Sequence, residues 1–271
     1  MSPMNNRLLV PRKTPGLLDL VPGAAAAYSL RSLSNSYADP VVTVRRSSDD
    51  AEDSFTAAEV ADGTLAAFAG AGDAFVKQWW DQSGNARHAS QTTPGYQPKI
   101  VSSGVVILEE GKPAIEFDGT DDRLSFSDIA TDSPMTGFSV TLRQAAGKRS
   151  VVVCNEATKS GTLLGYEYTD EKTYASNRDG YIVASSATAS QVMYTLISAD
   201  SSDRSSLSLY RNGALLAVSS ASLPNTLPLN SIGKRSTEFQ TGTAQEFVIY
   251  RSDLTAQREL IEGNIAWGWS V

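Results

Sequence analysis

One cysteine and one histidine in 271 residues remove several kinds of chemistry at once. Cys154 has no partner for an internal disulfide, so the cross-linked scaffold of a small secreted domain is excluded. His88 alone cannot build a histidine metal cluster, nor a Ser-His hydrolase arrangement elsewhere in the chain. No apolar run reaches the roughly 20 residues of a membrane-crossing helix, and no membrane insertion is expected. Near the start, Leu8-Leu9-Val10 is cut short by Pro11-Arg12-Lys13. A secretory signal needs a longer apolar core, which points to synthesis in the cytoplasm without a signal peptide. Positive charge is scarce too. Lys and Arg number 23 against 30 Asp and Glu, a net charge of −7 that repels phosphate backbones and argues against nucleic acid as a partner.

The residues that are present suit one large β domain preceded by an arm. Hydrophobic residues make up 41%, enough for a substantial core. Residues 1–22 contain Pro3, Pro11, Pro15 and Pro22, a spacing that denies a helix and predicts an extended N-terminal arm. The arm has too little periodic apolar character to bury itself. It is expected to order against a neighbouring subunit, anchored by Leu8, Leu9, Val10, Leu17 and Leu18. Residues 23–271 form the domain, with no internal repeat. Ala24 to Leu33 is alanine-rich and reads as a short helix. Residues 49–61 read as acidic and irregular, and Thr64 to Phe68 as a helix ended by Gly70-Ala71-Gly72.

Strand patterns then dominate, at 40–46, 75–80, 105–108, 114–117, 137–142, 150–154, 162–168, 180–184, 191–198, 205–210, 214–219 and 244–250. Asn212-Gly213 between two such runs is a strong hairpin signal. Simple alternation in 75–80 puts Phe75, Lys77 and Trp79 on one face, with Val76, Gln78 and Trp80 on the other. After Leu254, with Thr255 as N-cap, helical spacing groups Leu254, Ile261, Ile265 and Trp267. Many short strands with few helices predict an all-β fold: an antiparallel two-sheet jelly-roll sandwich.

The polar candidates cluster after the paired tryptophans, in Asp81-Gln82-Ser83-Gly84-Asn85-Ala86-Arg87-His88. Trp79 is assigned to the core. Trp80 could present a ring face to a sugar, with Asp81, Asn85 and His88 supplying hydrogen bonds. Asp81, Ser83 and Asn85 offer too few carboxylates for a dedicated calcium loop and suit a hydrogen-bonded turn. Asp118, Asp121 and Asp122 are read in the same way, and neither metal nor cofactor is expected. Arg45-Arg46 and Asp49-Asp50 read as surface charge. Cys154 reads as a small buried hydrophobe. Glu246, on the last strand, reads as a structural carboxylate paired with an arginine or backbone amides.

Taken with Tyr28-Ser29-Leu30-Arg31, Val44-Arg45-Arg46-Ser47-Ser48-Asp49 and Pro113-Ala114-Ile115-Glu116-Phe117-Asp118-Gly119, the tryptophan block resembles the opening half of the arabinofuranosidase-B-type catalytic domain. That family is a jelly-roll relative of the concanavalin-A-like and laminin-G-like folds. Gly242 to Tyr250, the helix after Thr255 and Trp267-Gly268 resemble the closing strand and helix of laminin-G-like domains. The resemblance implies two carboxylates on the concave sheet, about 5–5.5 Å apart in a retaining enzyme. It places the proton donor just after a glycine-rich strand end, where this chain reads Ile232-Gly233-Lys234-Arg235-Ser236-Thr237. A guanidinium cannot donate that proton. The enzymes' adjacent cysteine pair is represented only by Cys154-Asn155-Glu156. Glu167, Asp170 and Asp179 are available as nucleophiles, but no motif selects among them, so no catalytic residue is assigned.

The expectation is therefore a non-enzymatic structural or adhesion module of a bacteriophage virion, tail- or capsid-associated, as this family resemblance extends to phage structural proteins. Its expected partners are other virion proteins through the arm, further copies of itself, and a cell-surface glycan. Lysis would bring a cytoplasmic product to the outside. The alternative is a glycoside hydrolase of the arabinofuranosidase type acting on arabinose-containing glycans.

Overall fold

The computed structural model describes residues 14–130, 134–142, 150–151, 153–154, 157, 166–167, 173–177, 180–184, 192–198, 207–219, 228–269 and 271. They form an antiparallel β-sandwich organised by the closing strand, Thr241–Tyr250. Residues 242–250 of this strand are buried, which is why it carries apolar side chains on both faces and not on alternate positions. One edge pairs along Met135–Leu142. The other edge is shared by two strands in tandem. Ile115–Asp118 takes residues 241–244, and Ala26–Ser29 takes 246–249.

The change of partner falls on a β-bulge at Gln245, since Val140 faces Glu246 while Thr141 faces Ala244. The Gln245 side chain donates to the carbonyls of Glu109, Lys112 and Pro113 at 3.1–3.2 Å, so the bulge clamps the turn leading into Ile115–Asp118. Beyond Met135–Leu142 the sheet continues through Val192–Ser198, Leu207–Arg211 and Ala214–Ser219. In the other direction it passes through Lys99–Ser102, Ala74–Trp79, Ala89–Ser90, Leu124–Ile129 and Leu229–Ile232. A smaller sheet joins Ser150–Val151, Tyr166–Glu167, Thr173–Asn177 and Gly180–Ala184. Asn212 and Gly213 form the hairpin tip with φ of 47° and 80°, as a two-residue turn of this twist requires.

Trp79 is fully buried and meets Tyr28 at 6.0 Å and Phe247 at 5.5 Å between ring centroids. Phe126 closes on Tyr28 from the far side at 5.6 Å. Aromatic pairs of this geometry contribute about 0.5–1.5 kcal/mol beyond their buried area.

Several local readings are corrected. Ala26–Ser29 is a strand, not a helix, because the edge of the closing strand supplies backbone partners that outweigh alanine's weak propensity. Residues 49–61 are ordered, with a strand Glu52–Phe55 and a helix Ala57–Ala61 started by the Thr56–Glu59 capping box. In Ala74–Trp79 alternation fails. Thr43 faces Gln78 and Val44 faces Val76, leaving Lys77 as the extra residue, so Val76 and Trp79 are both buried. The last helix begins at Arg258, and Thr255 lies in the preceding turn, bonding to Asp253. Leu254, Ile261 and Ile265 are buried as expected, but Trp267 is 72% exposed and Trp269 fills the core position.

The arm is shorter than its prolines suggest. Leu17–Leu20 forms one helical turn, and Leu17 is wholly buried in the domain's own core. Gly16 makes this approach feasible, since a Cβ there would sit 2.3 Å from the Leu33 carbonyl oxygen. Tyr250 donates its hydroxyl to Val21 O at 2.7 Å, and Asn264 donates to Pro15 O at 3.1 Å. Residues 14–22 therefore belong to the sandwich. Leu17 and the half-buried Leu18 pack against their own core instead of waiting for a neighbour. Leu8, Leu9 and Val10 lie outside the described residues. Leu17→Ala should accordingly lower the unfolding free energy by about 2–5 kcal/mol in urea melts. An unchanged midpoint would return residues 14–22 to the arm.

Candidate functional site

The structure brings Trp80, Asp81, Asn85 and His88 together, and most of their polar atoms are spent on the chain itself. Asp81 Oδ1 accepts from the amides of Ala27 (2.8 Å) and Ser83 (2.9 Å). Its Oδ2 accepts from Ser83 Oγ and the Arg87 amide. Asn85 Nδ2 reaches the carbonyls of Ala24 and Ala25. His88 Nδ1 accepts the Asp81 amide at 3.1 Å, and its ring lies 4.6 Å from that of Trp80. Trp80 Nε1 donates to Thr43 Oγ1. Gln82, unremarked in the sequence, accepts from the Leu33 amide and donates to Ser29 O and Arg31 O. The segment is a clasp that pins the outer edge of Ala26–Ser29. Burial, with Asp81 nearby, pushes the Tyr28 phenol well above its ordinary range, keeping it protonated as the donor to Arg87 O.

Glu246 is fully buried and structural, as its strand position suggested. Oε2 accepts from Ser29 Oγ (2.8 Å), Arg31 Nε (2.8 Å) and Trp269 Nε1 (2.7 Å), and Oε1 from Arg31 Nη2 (3.0 Å). Such a carboxylate has no capacity left for a substrate.

After Gly233 the chain forms a tight hairpin, Lys234–Arg235 paired with Glu238–Phe239. It places Glu238, 3% exposed, with its carboxylate 3.3 Å from Arg235 Nε. The sequence reading stopped at Lys234 and Arg235 and missed this acid. The available signal was the Ser236-Thr237 turn, which folds Glu238 back across from Arg235. Of the other acids considered, Glu167 is placed by its backbone opposite Ser150, while Asp170 and Asp179 lie outside the described residues. The Cys154 backbone pairs with Ser231.

A cleft of about 710 Å³ opens on the outer face of the sheet. Its floor follows a row of register partners across successive strands: Arg45 faces Phe75, Phe75 faces Lys99, and Lys99 faces Glu116. Arg45 Cζ lies 5.1 Å and Lys99 Nζ 5.7 Å from the Phe75 ring centroid. Arg45 is held by Gln97 and Asp50, and Lys99 by Asp73. Arg46 pairs with Asp49, so the charges at this strand end are ion-paired.

At the rim, Asp118 Oδ1 accepts from the Thr120 and Asp121 amides, and Asp122 Oδ2 accepts from the Asp118 amide. Carboxylate oxygens of Asp118, Asp121 and Asp122 lie within 4.8 Å of one another. Burial, then the charges of Asp118, Asp121 and Glu116, push the Asp122 carboxyl up to about 7. Near neutrality this group can hold or release a proton.

No family model and no curated protein matches the sequence. Solved structures do match. A GH54 α-L-arabinofuranosidase variant soaked with 4-nitrophenyl α-L-arabinofuranoside aligns over 91% of this chain and 63% of its own, at 13% identity and a TM-score of 0.69. An arabinofuranosidase complexed with arabinofuranosyl-α-1,2-xylobiose aligns over the same shares at 14% identity and a TM-score of 0.61. Trypanosoma rangeli sialidase aligns over 71% of this chain and 31% of its own, at 13% identity and a TM-score of 0.51. At these identities the likeness is one of fold. The chain spans less than two thirds of the arabinofuranosidases' length.

The Asp122 geometry fixes a pH dependence. Its folded-state value of about 7 lies above the ordinary 3.8, so stability is unaffected below pH 4 and falls as pH rises towards 7. Above that it is flat. Asp122→Asn should raise unfolding free energy at pH 8 by roughly 2–4 kcal/mol and leave it unchanged at pH 4. Equal effects at both pH values would refute a protonated Asp122.

Proposed function

We propose that this protein acts on glycans, as a glycoside hydrolase of the arabinofuranosidase type directed at arabinose-containing chains. The observation that carries this reading is a backbone arrangement that brings the strands bearing two acids, Glu167 and Glu238, against one short strand. Ser150–Val151 pairs with Tyr166–Glu167 and also lies against the hairpin strand Glu238–Phe239. The whole-chain likeness to arabinofuranosidases supports the scaffold, and by analogy of fold the chemistry. In this reading Glu167 attacks the anomeric carbon while Glu238 gives its proton to the departing oxygen. Glu238 then takes a proton from the water that releases the sugar.

A second reading, a non-catalytic glycan-binding module, is favoured by one observation. Arg235 engages the Glu238 carboxylate that hydrolysis would need.

Release of 4-nitrophenol from 4-nitrophenyl α-L-arabinofuranoside separates the two. Turnover above background is expected, falling by about 100-fold or more in Glu167→Gln with an unchanged melting temperature, and likewise in Glu238→Gln, which also lowers the melting temperature because Arg235 loses its buried counter-charge. Background release by the unaltered protein would overturn hydrolysis. Retained binding to arabinose-containing glycans would then favour the second reading.

A further inference from the structure

We propose that the outer cleft beside the 118–122 turn is a binding site for a neutral, hydroxyl-rich sugar chain. The inference rests on the glycan reading above and adds where the sugar chain is held and what its charge is. The volume of about 710 Å³ falls within the range of small-molecule sites. The walls decide the chemistry. An anionic ligand would meet Glu116, Asp118 and Asp122, and a cationic one would meet Arg45 and Lys99. An apolar ligand would strip water from both sets and leave polar groups without replacement bonds.

A sugar hydroxyl avoids all three penalties, because it donates to a carboxylate and accepts from an ammonium at the same time. The bond to Asp73 uses one of the three N–H donors on Lys99, so capacity remains. Phe75, part-exposed between Arg45 and Lys99, offers a ring surface for the C–H face of a sugar. Gly233, at the foot of the Glu238 hairpin, packs so closely on the Phe117 ring that a Cβ there would lie 2.6 Å from it. Thr241, in the cleft wall, follows Glu238 by three residues.

The test is calorimetric titration of the full chain with arabinotriose, using sialyllactose as the acidic control, alongside the arabinofuranoside assay. Arabinotriose should bind the unaltered protein and Glu167→Gln alike. It should weaken at least tenfold in Phe75→Ala and Glu116→Gln, with Phe75→Tyr restoring affinity and all variants keeping their melting temperature. Undiminished binding in Phe75→Ala and Glu116→Gln would overturn the cleft and leave glycan recognition standing. Preference for sialyllactose would overturn the neutral ligand. Turnover without arabinotriose binding would also remove the cleft, and absence of both turnover and binding would remove the two proposals together.

Discussion

The structure depends on one buried carboxylate. Removing Glu246 from water costs several kcal/mol unless its charge is fully partnered. Full partnering requires groups from two distant places: Ser29 and Arg31, at and just after the end of the strand Ala26–Ser29, and Trp269 on the last helix. Ser29 must therefore lie beside Glu246, which fixes the register of Ala26–Ser29. The helix must cross with its indole N–H inward, which turns Trp267 outward. Arg31 Nη2 also donates to Asn264 Oδ1, and Asn264 in turn holds Pro15. Both ends of the domain are thus tied to a single acid.

The Asp81 clasp completes that arrangement on the opposite edge of the same strand. Ala26–Ser29 has the closing strand on one side, and on the other its Ala27 amide bonds to the Asp81 carboxylate. An edge left open there would expose backbone donors and acceptors that invite pairing with another chain. The small polar residues after the tryptophans remove that liability, which explains why so many of them bond to backbone. Both carboxylate oxygens of Asp81 and the Nδ2 of Asn85 thereby serve the fold.

What the sequence made legible was whatever depends on near neighbours. Alternating β-branched runs mark many of the strands, Asn212-Gly213 marks a hairpin, and the acid on the last strand reads as a structural carboxylate paired with an arginine or backbone amides. That the partner is Arg31, 215 residues away, follows only from the closed sheet. Ala24–Leu33 was misread because its strand identity is conferred by Ile249 and Val248, not by its own alanines. Trp79 was rightly placed in the core, though for the wrong face pattern, since one extra residue at Lys77 shifts the alternation. The cleft left no local trace. Its lining draws on residues from 45 to 241, and only strand order makes neighbours of those on its floor.

The same distinction explains how a backbone can persist at 13% identity while the chemistry it carries stays open. The ties that hold this sandwich, at Glu246, Asp81 and the Gln245 bulge, involve buried side chains whose loss would leave charges or amides unpartnered. The groups available to a ligand lie elsewhere. Glu116 and Asp118 point outward from a strand whose inward residues, Ile115 and Phe117, do the packing. A substitution at such positions alters charge and hydrogen bonding while the core beneath it is unchanged. Fold likeness at this identity therefore bears on the scaffold and leaves the outward-facing groups to be read on their own chemistry.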